Sequence, residues 1–146
     1  MKLEEKKWSE LCSNELYAIL RFREEVFILE QNCVYTDIDN HDQKALHILG
    51  HLEGRLVAYA RILPPKELYL EPSIGRVAIV KEERGSKLGS ILMEYCLNTI
   101  EKSFGQTAIK IMAQYYLVPF YQRLGFETIS EKFWEDEIAH FYMLRK

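Results

Sequence analysis

A β-branched run, Ile74-Gly75-Arg76-Val77-Ala78-Ile79-Val80, leads through a charged turn into Arg84-Gly85-Ser86-Lys87-Leu88-Gly89-Ser90. The pattern reads as a strand, a turn and a basic, glycine-flanked helix start. A helix start leaves its first backbone N–H groups without partners and carries the positive end of the helix dipole. With Arg84 and Lys87 beside them, those groups form an anion site of the kind that holds a pyrophosphate.

The familiar nucleotide and metal motifs do not fit. A P-loop needs four residues between its glycines and then Gly-Lys-Ser/Thr, whereas Gly85 and Gly89 enclose three. The dinucleotide fingerprint Gly-x-Gly-x-x-Gly is absent. Asp37-x-Asp39-x-His41-Asp42 starts like a calcium loop, but Asp42 stands where glycine is needed and Ile48 where glutamate is needed. His47 and His51 share a strand face, yet no glutamate follows His47 as a zinc-protease helix requires. No metal is expected.

Several charged residues need partners. Arg23 and Glu30 flank an apolar helical stripe; they either form ion pairs at its edge or line a cleft. Arg61 and Arg76 fall within apolar strands, where an unpaired guanidinium is costly. Arg76 is expected to be structurally paired, with Arg61 left open. Asp37, Asp39 and Asp42 read as a solvated acidic loop.

The elements that must position these groups follow from periodicity. Residues 14–30 read as an amphipathic helix capped near Ser13 or Asn14, with Leu16, Ile19, Leu20, Val26 and Phe27 on one stripe. Residues 31–43 are irregular. Segments 45–53 and 55–63 alternate around Glu53-Gly54 as a hairpin, stopped by Pro64 and Pro65. The strand 74–80 and a helix of roughly 84–103 come next, then a strand at 107–114 and a helix at 116–124 ending on Gly125. A final hairpin spans 126–134 and 138–145. Helices on both faces of one mixed sheet are implied.

With 146 residues the chain makes one domain, 1–146, with one substantial core. The hydrophobic share of 48% and charged share of 28% suit a globular protein, and a net charge of −3 argues against a nucleic-acid partner. Cys12, Cys33 and Cys96 lack metal spacing, and an odd count suits reduced thiols. No run is long enough to span a membrane and no signal peptide is apparent, so a cytoplasmic protein without a membrane partner is expected.

Arg84-x-x-Lys87-x-Gly89 after one strand and Phe120-Tyr121-x-x-x-Gly125-Phe126 after another resemble the GNAT superfamily of acyl-CoA-dependent acyltransferases. That family's phosphate loop runs Arg/Gln-x-x-Gly-x-Gly/Ala. Glu30-Gln31-Asn32-Cys33, Tyr35-x-Asp37-x-Asp39, His47-Ile48, Ala58-x-Ala60-Arg61, Gly75-Arg76-Val77 and Ile138-Ala139-His140-x-x-Met143 are similar to its ElaA-like branch. Two departures stand out. Lys87 occupies the middle glycine of the loop, and Gln114 and Leu117 stand where many members have Asn and Ala.

The resemblance implies an α/β (α+β) single-domain αβα three-layer fold. Its mostly antiparallel mixed sheet would splay between the strands 74–80 and 107–114. It implies acetyl-CoA as co-substrate, with the backbone of Val77, Ala78 and Ile79 pairing with the pantetheine arm like an added strand. Arg84, Gly85, Ser86, Lys87, Leu88, Gly89 and Ser90 would hold the pyrophosphate, and Gln114 would touch the arm.

The implied acceptor is a small-molecule amine. An alkylammonium, with a pKa near ~10.4, is neutral in only about one molecule in 10³ at pH 7.4, so its proton must be removed before attack. The departing thiolate then benefits from a proton donor, for which Tyr121 is expected. Glu30 is the expected base, with His47 and His140 as alternatives; Arg23, His47, Arg61 and His140 are expected to face the acceptor. The acidic loop at Asp37, Asp39 and Asp42 is an alternative attractor for a cationic acceptor. Phe133, Trp134, Phe141 and Tyr142 wall the acceptor pocket, cover the sheet or join two copies, which leaves a homodimer open. The alternative function is a catalytically weak acyl-CoA-binding regulatory or interaction module, kept open by Lys87.

Overall fold

The computed structural model describes residues 1–146. Strands β1 (Lys2–Lys7), β2 (Leu46–Leu52), β3 (Arg55–Leu63) and β4 (Ser73–Ile79) form one sheet in that order, all pairs antiparallel. Strands β5 (Ile109–Gln114), β6 (Glu127–Thr128), β7 (Phe133–Glu135) and β8 (Ile138–Arg145) form the second, with β5, β6 and β7 all pairing antiparallel to β8. The helices are α1 (Ser13–Arg23), α2 (Leu88–Phe104) and α3 (Val118–Arg123).

Alternation in the central strands assigns the two helical layers. Ile48, Ala60 and Ile62 turn to one face, where Leu92, Met93, Cys96 and Ile100 of α2 cover them. Leu49 and Tyr59 turn to the other, against Ile19, Phe22 and Val26. Adjacent residues on a strand point to opposite faces, so each helix reads one parity of the same strands. No helix is long and apolar enough to cross a membrane.

Several boundaries differ from the sequence reading. Strand β1 was not foreseen: Lys-Leu-Glu-Glu-Lys-Lys has too little apolar alternation to be read as a strand. Its charges suit an outer strand that must discourage further pairing. The first helix is α-helical only to Arg23, and residues Glu24–Glu30 continue as a π-helical turn. Its cap is Cys12, whose Sγ accepts from Glu15 N–H while the Glu15 carboxylate accepts from Cys12 N–H. Helix α2 starts at Leu88 because Gly85 (φ +87°) and Lys87 (φ +66°) take left-handed backbone. The expected helix 116–124 is a short 3-10 turn followed by α3, and Gly125 closes it at φ +94°. In the last hairpin only β8 is continuous; its partner is broken into β6 and β7.

Candidate active site

Strand β4 carries a bulge. Ala78 lies opposite Tyr59 and Gly75 opposite Arg61, so Arg76 and Val77 together face the single residue Ala60. An extra residue bends and twists the bulged strand. Before the bulge, β4 and β5 are joined where Lys110 N–H donates to the Pro72 carbonyl at 3.1 Å. Beyond it the two strands belong to separate sheets. The edge of Val77, Ala78 and Ile79 turned away from β3 is therefore left without a strand partner.

At the open end of this gap lies the start of α2. No side chain caps it, and the backbone N–H groups of residues 85–90 donate to no backbone acceptor, the first helical bond being Ile91 N–H to the Lys87 carbonyl. Lys87 sits where the chain needs φ +66°, a conformation glycine adopts without steric cost. That explains why a glycine is the usual residue there, and why lysine keeps the amide available while straining the loop. The free amides, the helix dipole and the unpaired β4 edge fit a pantetheine arm ending in a pyrophosphate.

Arg84 is not free. Its Nη1 and Nη2 bind both oxygens of Glu30 at 2.6 and 2.9 Å, and its Nε donates to the Ile79 carbonyl at 2.9 Å. Glu30 thus serves as an anchor with both oxygens occupied, instead of a carboxylate open to an incoming proton. The Ile79 carbonyl, expected to pair with a ligand, is likewise engaged. Beside this pair, Gln114 at the end of β5 receives a hydrogen bond from the Tyr116 hydroxyl and donates to Gln31 Oε1 at 3.3 Å. Sequence reading missed Gln31 and Tyr116 as site residues, because only the fold brings the turn after Glu30 to the end of β5.

Tyr121 projects from α3 into the main core, in edge-on contact with Phe120 and Phe126. Burial, with smaller effects from Cys96 and Tyr116, raises its pKa well above the ordinary phenol value. It therefore keeps its proton at neutral pH. Of the polar side-chain atoms, only Arg61 Nε is both fully enclosed and without a partner. Tyr121 is only 7% exposed, and its hydroxyl makes no hydrogen bond to a protein acceptor.

A cleft of about 500 Å³ opens between Gln31, Tyr115 and Tyr116 on one side and Lys132, Trp134 and Glu137 on the other. Trp134 is 68% exposed, and the Lys132 ammonium lies 6.0 Å from its ring centroid. The Cys33 thiol donates to the Asp136 carbonyl at 3.3 Å, tying the turn after Glu30 to the β7–β8 turn. A larger cavity of about 860 Å³ lies near Gly105, Arg123 and Arg145 and includes none of these residues.

The acidic loop is not solvated. Asp37, Asp39 and Asp42 meet Arg23, Arg61 and Arg76 in one interlocked cluster. Arg23 Nε donates to Asp37 at 2.9 Å and its Nη1 to Asp42 at 2.7 Å. Arg61 binds both oxygens of Asp39 at 2.8 Å and also Asp42 at 3.0 Å. Arg76 Nε donates to Asp37 at 2.8 Å and its Nη2 to Asp39 at 3.2 Å. Three arginines against three aspartates leave no net charge to attract an acceptor.

This cluster also corrects the expectation that Arg23, Arg61 and His47 face an acceptor. Arg23 and His47 are fully enclosed and Arg61 is 2% exposed. His47 Nε2 lies 2.9 Å from the Asp42 carbonyl, which can only accept, so Nε2 carries the hydrogen. Burial lowers the His47 pKa despite the Asp42 contact, so the ring is neutral and Nδ1 accepts from the Tyr59 hydroxyl at 2.7 Å. Both nitrogens are used. His140 differs. It pairs with Gln114 across β5–β8, and its Nδ1 donates to the Ile138 carbonyl at 2.7 Å. That leaves Nε2 without a protein hydrogen-bond partner.

The comparisons with known proteins agree with this geometry. A family model described as "Acetyltransferase (GNAT) domain" matches residues 10–146. Protein ElaA of Escherichia coli (strain K12) is 43% identical over 141 residues, covering 94% of this chain and 92% of that protein. The crystal structure of Escherichia coli ElaA superposes with a TM-score of 0.94 at 39% identity over 99% of both chains. That of an acyl-CoA N-acyltransferase from Pseudomonas aeruginosa gives 0.95 at 36% identity, again over 99% of both. A splayed pair of strands, a loop of free amides and relatives across nearly the whole length lead to one assignment: the chain belongs to the GNAT acetyltransferase family, in its ElaA-like branch, and is an acyltransferase of that acyl-CoA-using family.

Proposed function

We propose that this enzyme moves an acetyl group from acetyl-CoA to a primary amine of a small molecule, by direct attack in a ternary complex with Tyr121 as general acid. The observation that carries this reading is the Tyr121 hydroxyl: protonated at neutral pH, without a protein acceptor, and on the helix that follows β5. Acetyl-CoA supplies the acyl group as a thioester. The amides of residues 85–90 hold its phosphates, and the free edge at Val77 and Ala78 orients its arm. Lys87 adds a cation beside those amides.

The cleft beside Gln114 receives the acceptor. Tyr115, Tyr116 and Trp134 offer faces to the carbon body of an amine, and Glu137 offers a carboxylate to its ammonium. Among the three base candidates, His140 alone keeps an unoccupied nitrogen, so its Nε2 is assigned the amine proton. Tyr121 O–H returns a proton to the leaving sulfur.

The test is release of free thiol from acetyl-CoA across a panel of alkyl and arylalkyl amines, run beside calorimetric titration with acetyl-CoA. Amine-dependent release supports the reading. Tight binding with no turnover on any acceptor marks a regulatory binding module, and absence of binding removes both.

A further inference from the structure

Arg76 is the only non-glycine residue within a strand that takes a positive φ, +52°. It does so at the first position of the β4 bulge, where the common left-handed form of this bulge uses glycine. An arginine there is strained, and such strain persists only where the surroundings over-determine the conformation. They do so here. Its Nε and Nη2 close on the Asp37 carboxylate and carbonyl at 2.8 and 3.0 Å, and Nη2 also reaches Asp39 at 3.2 Å. Tyr35 lies under the guanidinium at 5.4 Å, with its own hydroxyl on Asp37 at 2.9 Å. Asp37 is held in turn by Arg23 from α1.

We propose that Arg76 is a positioning residue: its clasp on Asp37 and Asp39 holds the β4 bulge in its left-handed form and so keeps the Val77–Ile79 edge turned into the gap. The side chain is drawn away from the gap toward the loop at 35–39, and its effect passes through its own backbone to the next residues. This rests on the reading that the edge receives acyl-CoA. An arginine kept for its charge alone has no need of that backbone conformation. The clasp and the bulge are one device.

A glycine-rescue experiment separates the clasp from a plain ion pair. Acetyl-CoA affinity is measured by calorimetry for wild type, Arg76→Ala, Arg76→Gly and Arg76→Lys, with thermal melts to verify folding. Alanine keeps the strain and loses the clasp, so its Kd is expected to rise about ten-fold. Glycine removes the strain as well and is expected to recover at least about a three-fold part of that loss, although it deletes more side chain. A plain ion pair predicts no recovery, so glycine binding no better than alanine overturns the proposal. Alanine binding as tightly as wild type also overturns it. If the alanine chain does not fold, Arg76→Lys decides: it keeps the charge without the two-pronged grip, and wild-type affinity in that variant overturns the proposal. Failure of the wild type itself to bind counts against the acyl-CoA reading, not against the clasp.

Discussion

Arg84 holds both carboxylate oxygens of Glu30 at 2.6 and 2.9 Å, joining the loop that leads into α2 to the end of the π-helical turn after α1. The pair spans the open end of the β4–β5 gap, and both partners are partly exposed. Exposed pairs contribute about 0–1 kcal/mol. The role supported by the geometry is to steady Arg84 and the segment carrying Gln31.

Glu30→Gln is therefore expected to change stability by less than about 1 kcal/mol. The shape of its pH–rate profile should match wild type. A base at this position predicts a fall in kcat of about 10²-fold or more and loss of the acidic limb. Values of kcat for Glu30→Gln and His140→Gln, taken side by side, distinguish the two roles of the carboxylate; the fall of about 10²-fold or more should appear in the histidine variant alone.

Lys87 is strained at φ +66°. Lys87→Gly relieves that strain while adding backbone freedom to the unfolded chain, so its stability should stay within about 1 kcal/mol of wild type. Lys87→Val places a β-branched residue in the same conformation and should lose about 1–2 kcal/mol. Urea unfolding of the two variants checks the contrast.

Asp42→Asn opens the enclosed cluster and leaves Arg23 and Arg61 short of an anion, at a cost of about 3–5 kcal/mol. Burial opposes the charge on Asp39 and Asp42, but their bonds to Arg61 and Arg23 outweigh it and hold both pKa values below the ordinary range. Such groups contribute fully above their unfolded value, near ~3.9, and lose that contribution as pH falls through the lower folded values. Wild-type melting temperature should therefore fall steeply below about pH 4. The gap to Asp42→Asn should narrow over the same interval.

Trp134→Ala removes the largest aromatic face of the cleft. The acceptor KM is expected to rise about 5–30-fold, with acetyl-CoA affinity unchanged. A rise in acetyl-CoA Kd instead moves the cleft out of the acceptor site. Steady-state kinetics with each substrate varied in turn reads both.

Much of this site was legible because its parts are local. The strand 74–80, the glycines at 85 and 89, and the tyrosine four residues before Gly125 lie in short stretches whose backbone roles follow from residue type. The arginine–aspartate cluster was only half legible. An arginine in an apolar strand needs a partner, but which carboxylate meets it depends on loop 35–42 folding over β3 and β4. Chain order carries no sign of that approach. Strand β1 was hidden for a different reason: at the sheet edge, tertiary pairing with β2 outweighs a weak local preference. The Glu30–Arg84 pair joins residues too far apart in the chain for spacing to reveal.

Acyl transfer to an amine with Tyr121 as proton donor is checked by thiol release from acetyl-CoA in the presence of an amine, comparing wild type with Tyr121→Phe under matched acetyl-CoA saturation. Amine-dependent turnover by the wild type, slowed about 10²-fold or more in the phenylalanine variant with unchanged acetyl-CoA affinity, is the predicted result. Equal turnover by the two proteins contradicts it.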